Sequence, residues 1–320
     1  MAAAHVTSVA LRYTANLPAG YSPPHMNVTF YGVRGSTPCD CRDQERYGGN
    51  TSCVALEAPG ETPIVFDLGT GLRYFGADQP TDGSFRGAVL LSHLHWDHVQ
   101  GLPFFVPIDR PGARLAVYGP EQEEGPLGEV FTGIMRPPYF PVTPYELRGT
   151  IDFHDCGDTD FEFEGRRIKS RWVRHNGPTL GYRVDWNGHS VAYIPDHGPG
   201  TKPEDADDHV PRRIHELCDG VDLLIHDAQY SPAEYEQKRH FGHCTVQYAV
   251  HVARECGAKT LAMFHHDPYH DDGAIDALLV EAQAEANGSG VEVIAAREGL
   301  VISYDSTSST AARAAGSALG

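Results

Sequence analysis

Short apolar runs separated by turn residues dominate the chain, and helical spacing appears clearly only near its end. Met26-Asn27-Val28-Thr29-Phe30-Tyr31-Gly32-Val33 alternates apolar and polar positions with a period of two, as a strand with one buried face does. Compact apolar runs follow at Ile64 to Phe66, Ala88 to Leu91, Arg114 to Tyr118, Tyr182 to Val184, Val191 to Ile194, Leu223 to Ile225, Thr260 to Phe264 and Val291 to Ile294. Each is too short for a helix and is bounded by turn residues, so these read as strands. Thr245 to Cys256 places Val246, Ala249, Val250 and Ala253 on one helical face, with Gly257 as the stop. Ala274 to Ala286 does the same with Ile275, Leu278, Leu279 and Ala282 after an acidic Asp271-Asp272 start. Many strands first, then strands alternating with helices, predict a β-rich layered α/β domain rather than a doubly wound sheet. No internal repeat is visible.

The ends differ from this pattern. Residues 1 to 25 are small, polar and proline-containing and read as a flexible N-terminal extension, with Met26 as an alternative start. Residues 305 to 320 hold almost no apolar bulk to offset ordering entropy and read as a disordered tail, leaving one domain over 26 to 304. The formal charge of −18 repels polyanions, so DNA is not expected as a partner, and RNA would need a local basic patch. The one basic stretch, Arg166-Arg167-Ile168-Lys169-Ser170-Arg171, reads as the solvated face of a strand rather than a phosphate site. Seven dispersed cysteines without a C-x-x-C pair fit a reducing cytoplasm, and Cys39 and Cys41 read as thiols rather than a further metal site. No apolar run approaches the roughly 18 residues of a membrane span. A soluble cytoplasmic protein is expected, with a homodimer left open.

The candidate chemistry sits where strands end. His93-Leu94-His95-Trp96-Asp97-His98 follows the Ala88 to Leu91 strand and packs four metal-competent side chains into six residues. At spacing two, His93 and His95 can share one metal, while Asp97 and His98 can reach a second centre nearby. Asp67 closes Ile64 to Phe66 ahead of Leu68-Gly69-Thr70-Gly71, a turn without the lysine of a phosphate loop. His175, Asp196, the pair His226-Asp227 and the run His265-His266-Asp267 also fall at strand ends. Singly, each reads as a turn former; their repetition along one chain does not.

These motifs resemble those of the metallo-β-lactamase-fold hydrolases, over almost all of Met26 to Tyr304. The ordered set is Asp67, His93-x-His95-x-Asp97-His98, His175, Asp196 and a late histidine. Gly32-Val33-Arg34-Gly35-Ser36-Thr37-Pro38, Tyr47 to Cys53, Ile225 to Tyr230, Gly242-His243-Cys244-Thr245 and Phe264 to Pro268 resemble the phosphodiesterase branch. That branch includes cyclic-phosphate phosphodiesterases and tRNA 3′-processing endonucleases. The resemblance implies an αββα sandwich, two facing mixed sheets flanked by helices, with the site at one edge. It implies that His93, His95 and His175 hold one zinc, that Asp97, His98 and His265 hold another, and that Asp196 bridges them. His266 is the fallback for His265. Asp67 would orient the histidine loop, and His243, oriented by Asp227, would protonate the leaving oxygen. Here Cys244 stands where the family has serine, and Asp227 where it has glutamate.

The implied activity is hydrolysis of a small or cyclic phosphodiester by a hydroxide bridging two Zn²⁺, with Mn²⁺ or Fe²⁺ suited to the same donors. Family endonucleases that process tRNA carry a long arm between the third-motif histidine and the bridging aspartate. Only twenty residues separate His175 from Asp196, so RNA is the less favoured substrate. Rival readings are an RNA 3′-processing endoribonuclease, a thioester hydrolase similar to glyoxalase II, and a metal-binding scaffold without catalysis. Substrate recognition is expected in the loops Pro103 to Leu147 and Gly198 to Pro211.

Overall fold

The structure is a computed structural model that describes residues 25–40, 42–199 and 210–305. The N-terminal extension short of residue 25, the C-terminal tail, Cys41 and most of the Gly198 to Pro211 loop lie outside the described residues. Among the described residues, fourteen strands form two sheets of seven. The first sheet contains β1 (His25–Gly32), β2 (Cys53–Glu57), β3 (Ile64–Phe66), β4 (Arg86–Leu90), β5 (Arg114–Pro120), β6 (Thr150–Cys156) and, at the end of the chain, β14 (Val301–Asp305). The second contains β7 (Thr159–Phe163), β8 (Arg166–Trp172), β9 (Leu180–Trp186), β10 (His189–Ile194), β11 (Leu223–Asp227), β12 (Thr260–Phe264) and β13 (Glu292–Ala295). Their orders are β14-β1-β2-β3-β4-β5-β6 and β13-β12-β11-β10-β9-β8-β7.

Strand alternation divides the apolar residues into three layers. Ile64 and Phe66 of β3, Ala88 and Leu90 of β4, Val191 and Tyr193 of β10, and Ala262 and Phe264 of β12 meet between the sheets. Their alternate neighbours Val65 and Val89 face the outside of the first sheet, and Ala192, Leu261 and Met263 the outside of the second. Both faces of these strands are buried, so they read as unbroken apolar runs instead of alternating ones. Helices α1 (Leu72–Ala77) and α3 (Leu127–Ile134) cover the first sheet, and α4 (Arg212–Cys218), α6 (Val246–Glu255) and α7 (Asp272–Glu285) the second. The expected αββα sandwich is therefore present.

Both sheets are antiparallel in one half and parallel in the other. β3 to β6 run parallel, as do β10 to β13. The carboxyl ends of these strands open on one edge of the sandwich, where parallel sheets generally place ligands.

The two expected helices are present with side-chain caps. Thr245 accepts from the Tyr248 N–H at the start of α6. Asp271 accepts from the Ala274 N–H, so α7 begins two residues earlier than its apolar spacing indicates. The basic stretch is a strand, as expected, with Arg167 exposed and Lys169 and Arg171 half-buried on its outward face. Arg166, Ile168 and Ser170 of β8 are buried, and Arg166 lies 4.4 Å from the centre of the Trp186 ring while pairing with Glu61 and Glu164. Arg171 pairs with Asp160 and Glu216. These cations are committed within the fold. No helix among the described residues is long and apolar enough to cross a membrane.

Candidate metal centre

The histidine loop leaves β4 and turns at once into α2 (Trp96–Val99), a single turn with His95 as its N-cap residue. This short turn separates two sets of side chains. His93, His95 and His175 gather around one oxygen of Asp196, and Asp97, His98 and His265 around the other. His93 Nε2 and His175 Nε2 lie 3.7 and 3.3 Å from Asp196 Oδ2. His98 Nε2 and His265 Nε2 lie 3.1 and 3.2 Å from Asp196 Oδ1. His95 Nδ1 closes the first set, 2.8 Å from His93 Nε2 and 3.3 Å from His175 Nε2. Asp97 Oδ2 closes the second, 3.1 Å from both His98 Nε2 and His265 Nε2.

In each set the donor atoms lie within 4.8 Å of one another, which fits a divalent cation at its centre. His98 Nε2 and Asp196 Oδ1 are buried and have no hydrogen-bond partner although they are 3.1 Å apart. Polar atoms aimed at a common point rather than at one another are the pattern of ligands around an ion. Charge agrees with this. Burial would raise the Asp97 and Asp196 carboxyls, yet the imidazoles around them hold both well below the usual carboxylate range. Burial pushes the His93, His95 and His175 imidazoles down, which favours neutral rings with a free lone pair. His98 goes the other way: burial opposes its charge, but Asp97, Asp196 and Asp67 together hold its proton well above the ordinary histidine range.

The second nitrogen of each ring is held from behind. Asp67 takes four hydrogen bonds: Ser92 N–H at 2.6 Å on Oδ1, and Ser92 Oγ at 2.8 Å, Tyr193 OH at 2.7 Å and His98 Nδ1 at 2.7 Å on Oδ2. His93 Nδ1 lies 3.0 Å from Ser92 Oγ, and His175 Nδ1 lies 2.9 Å from the Gly242 carbonyl. Such partners fix the tautomer and ring orientation of metal-binding histidines. Asp67 and His265 both have left-handed backbones, with φ of 60° and 59°, a conformation uncommon for non-glycine residues. The Gly35 backbone lies so close to the His265 ring that a Cβ there would be 2.4 Å from Nδ1. Ser36 N–H donates to Asp97 Oδ2 at 2.7 Å, so the Gly35-Ser36 segment braces both ligands of the second set.

His243 and Asp227 form a pair beside the cluster. His243 Nδ1 lies 2.8 Å from Asp227 Oδ2, and its ring stacks on His265 at 4.9 Å between centres. Asp227 also accepts from the backbone N–H groups of His197 and Gln229, both at 3.1 Å. Burial opposes protonation of His243, but Asp227 outweighs it and the ring holds its proton more tightly than an ordinary histidine. His243 also lies near Asp196 and His265 at metal-ligand range. Its Nδ1 is taken by Asp227, which leaves Nε2 as the nitrogen available to the cleft.

The first-choice candidate residues from the sequence converge on this edge. His266 does not: its Nε2 donates to the Ala296 carbonyl at 2.8 Å, and burial pushes its pKa down to about 3. Ser92, Tyr193 and the Ser36 N–H are the contributors that the sequence did not single out. Tyr193 could have been placed by its strand register with Val191, which turns it toward the layer between the sheets. Ser36, His95, Asp97, His175, Asp196, His243 and His265 line an open cleft of about 650 Å³.

The comparisons with known proteins agree with this architecture. Residues 64–266 match the family described as "Beta-lactamase superfamily domain". A ribonuclease Z of Haloarcula marismortui is 26% identical over 314 residues, covering 86% of this chain and 96% of that protein. The metallo-beta-lactamase fold protein YhfI of Bacillus subtilis superposes with a TM-score of 0.67 at 20% identity, over 88% of this chain and 99% of its own. A diphosphatase of the PhnP family superposes with a TM-score of 0.61 at 20% identity, over 88% of this chain and 97% of its own. The chain is thus a member of the beta-lactamase superfamily, with the fold and the metal-binding edge of a metal-dependent hydrolase.

Proposed function

We propose that the protein hydrolyses phosphodiesters at a centre of two divalent cations, most simply Zn²⁺. In this reading His93, His95 and His175 hold one ion, Asp97, His98 and His265 the other, and Asp196 is shared. The observation that carries it is the division of Asp196: Oδ2 faces the first set and Oδ1 the second. Two divalent cations held by these residues would supply Lewis acidity to the phosphoryl oxygens and would make a water acidic enough to attack at neutral pH.

The chain's own residues supply the rest. Asp227 accepts the Nδ1 proton of His243 and so presents Nε2 toward the cleft, from where a proton can pass to the leaving oxygen. The two backbone N–H groups on Asp227 keep that carboxylate from rotating away. Asp67 keeps the His98 proton on Nδ1, so that Nε2 stays free to bind an ion.

A small or cyclic phosphodiester suits the site best. The interval from His175 to Asp196 is filled by the β9 and β10 hairpin, which leaves no room for an RNA-gripping arm there. RNA 3′-processing is the second reading, favoured by the ribonuclease Z name of a relative that aligns over nearly its whole length. The deciding experiment is turnover by metal-reconstituted protein of 2′,3′-cyclic, 3′,5′-cyclic and 1,2-cyclic phosphates, a precursor tRNA and a glutathione thioester. Cleavage of cyclic phosphates without cleavage of the tRNA supports the first reading, the opposite result the second, and thioester turnover alone overturns both.

A further inference from the structure

The mouth of the cleft carries large rings that neither the fold nor the metal ligands explain. Trp96 and Tyr269 line the cleft and are 74% and 90% exposed. Among the described residues, neither ring packs on another ring and the Tyr269 hydroxyl has no hydrogen-bond partner. Their backbones, in contrast, are firmly held. Trp96 sits between His95 and Asp97, and Ser36 N–H pins the Asp97 carboxylate. Tyr269 N–H donates to Asp267 Oδ1 at 2.9 Å, and the fully buried Arg34 guanidinium donates to the carbonyls of Asp267 and His270 on either side of it. Gln44 adds a hydrogen bond to the Pro268 carbonyl at 2.7 Å. Fixed backbones that project unpartnered rings beside a buried polar centre are built for contact with a ligand.

The charge around the cleft narrows the ligand. Among the described residues that line it, Lys238 is the one lysine or arginine. It is already engaged, 2.8 Å from Asp267 Oδ2 and 4.8 Å from the centre of the Tyr230 ring. A substrate with many phosphates would find no free cation for them among the described residues that line the cleft. One whose grip beyond the scissile phosphate is a flat ring would find two platforms.

We propose that Trp96 and Tyr269 are specificity-determining residues that stack the base of a short nucleotide phosphodiester while its phosphate lies at the metal edge. This rests on the phosphodiesterase reading and names its substrate class. Every nucleobase offers a π-face, so the rim accepts purines and pyrimidines alike, and removal of one stacking ring lowers affinity by about 5- to 150-fold per base.

The test compares adenosine 2′,3′-cyclic phosphate with a base-free ribosyl 1,2-cyclic phosphate, using metal-loaded wild type, Trp96→Ala, Tyr269→Ala, Trp96→Phe and Tyr269→Phe. The expected result is a fall of about 5- to 150-fold in the ratio of kcat/KM for the nucleotide to kcat/KM for the base-free ester in each alanine variant. The fall resides in KM and is largely restored by phenylalanine. An unchanged ratio in both alanine variants overturns the proposal, as does a wild type that prefers the base-free ester. Because Trp96 adjoins the ligands, metal content is measured in parallel; if Trp96→Ala loses metal, Tyr269→Ala decides the question alone. Failure of the wild type on both esters refutes the phosphodiesterase reading itself, a separate outcome.

Discussion

Replacing Asp67 by asparagine tests the support of the metal centre without touching a proposed ligand. The carboxylate accepts four hydrogen bonds, three of them on Oδ2. An asparagine with its amide nitrogen at the Oδ2 position meets three donors with a donor. Flipped, it keeps those three and turns its NH₂ toward the Ser92 N–H. Even the better orientation therefore leaves one buried donor unsatisfied, at a cost of about 1–3 kcal/mol, and gives up the negative charge beside His98. The first orientation also drives His98 to the other tautomer, with its proton on Nε2 between Asp97 and Asp196, where an ion would otherwise bind. Partners of this kind alter metal affinity or activity by about 10- to 100-fold. Asp67→Asn is thus expected to bind its second ion about 10- to 100-fold more weakly, with the first ion less affected because His93, His95 and His175 do not contact Asp67. Competition with a zinc-binding chromophore measures both affinities, and circular dichroism checks that the fold persists. Wild-type affinity at both sites in a folded Asp67→Asn protein would refute this account of its role.

Three further outcomes follow from the same arrangement. His243→Ala retains both ions but lowers kcat by about 10²- to 10⁴-fold on alkyl phosphodiesters, and by much less on aryl esters, whose leaving groups need no proton; equal losses on both would contradict the proton-donor role. Gly35→Ala forces a Cβ to within 2.4 Å of the His265 ring, so metal analysis is expected to show partial loss of the second ion, whereas full occupancy would show that the loop yields. Arg166→Met keeps its turnover and loses no more than about 1 kcal/mol in urea unfolding, since its acidic partners Glu61 and Glu164 are about half exposed; loss of turnover would return the basic stretch to the active site.

What was legible in the sequence follows from how each feature is encoded. Strands buried on both faces appear as unbroken apolar runs, and β3, β4, β10, β11 and β12 were visible for that reason. The edge strands β6 and β7 were not: Thr150–Cys156 and Thr159–Phe163 carry polar side chains over much of their length, because each lacks a neighbour on one side. Short helices such as α1 and α3 offer too few turns for a period to emerge. The proposed ligands were legible because histidine and aspartate rarely close so many strands at once, and because their order resembles a known family. The braces behind them were not, since Ser92 and Tyr193 act through contacts between residues far apart in the chain. Of the adjacent pair, strand geometry sends the His265 side chain to the cleft and that of His266 to the Ala296 carbonyl. The reading of Arg166 to Arg171 as a solvated strand face holds for Arg167, Lys169 and Arg171, while Arg166 on the inward side is buried, which a residue pattern of alternating cations does not reveal.

Asp196 is proposed to join two cation sites, and native mass spectrometry of zinc-reconstituted wild type and Asp196→Ala decides whether it does. The wild type is expected to bind two zinc ions per chain, one for each set of ligands, and the variant to lose tight binding at both sites. A wild type that binds a single ion, or an Asp196→Ala variant that still binds both, would contradict it.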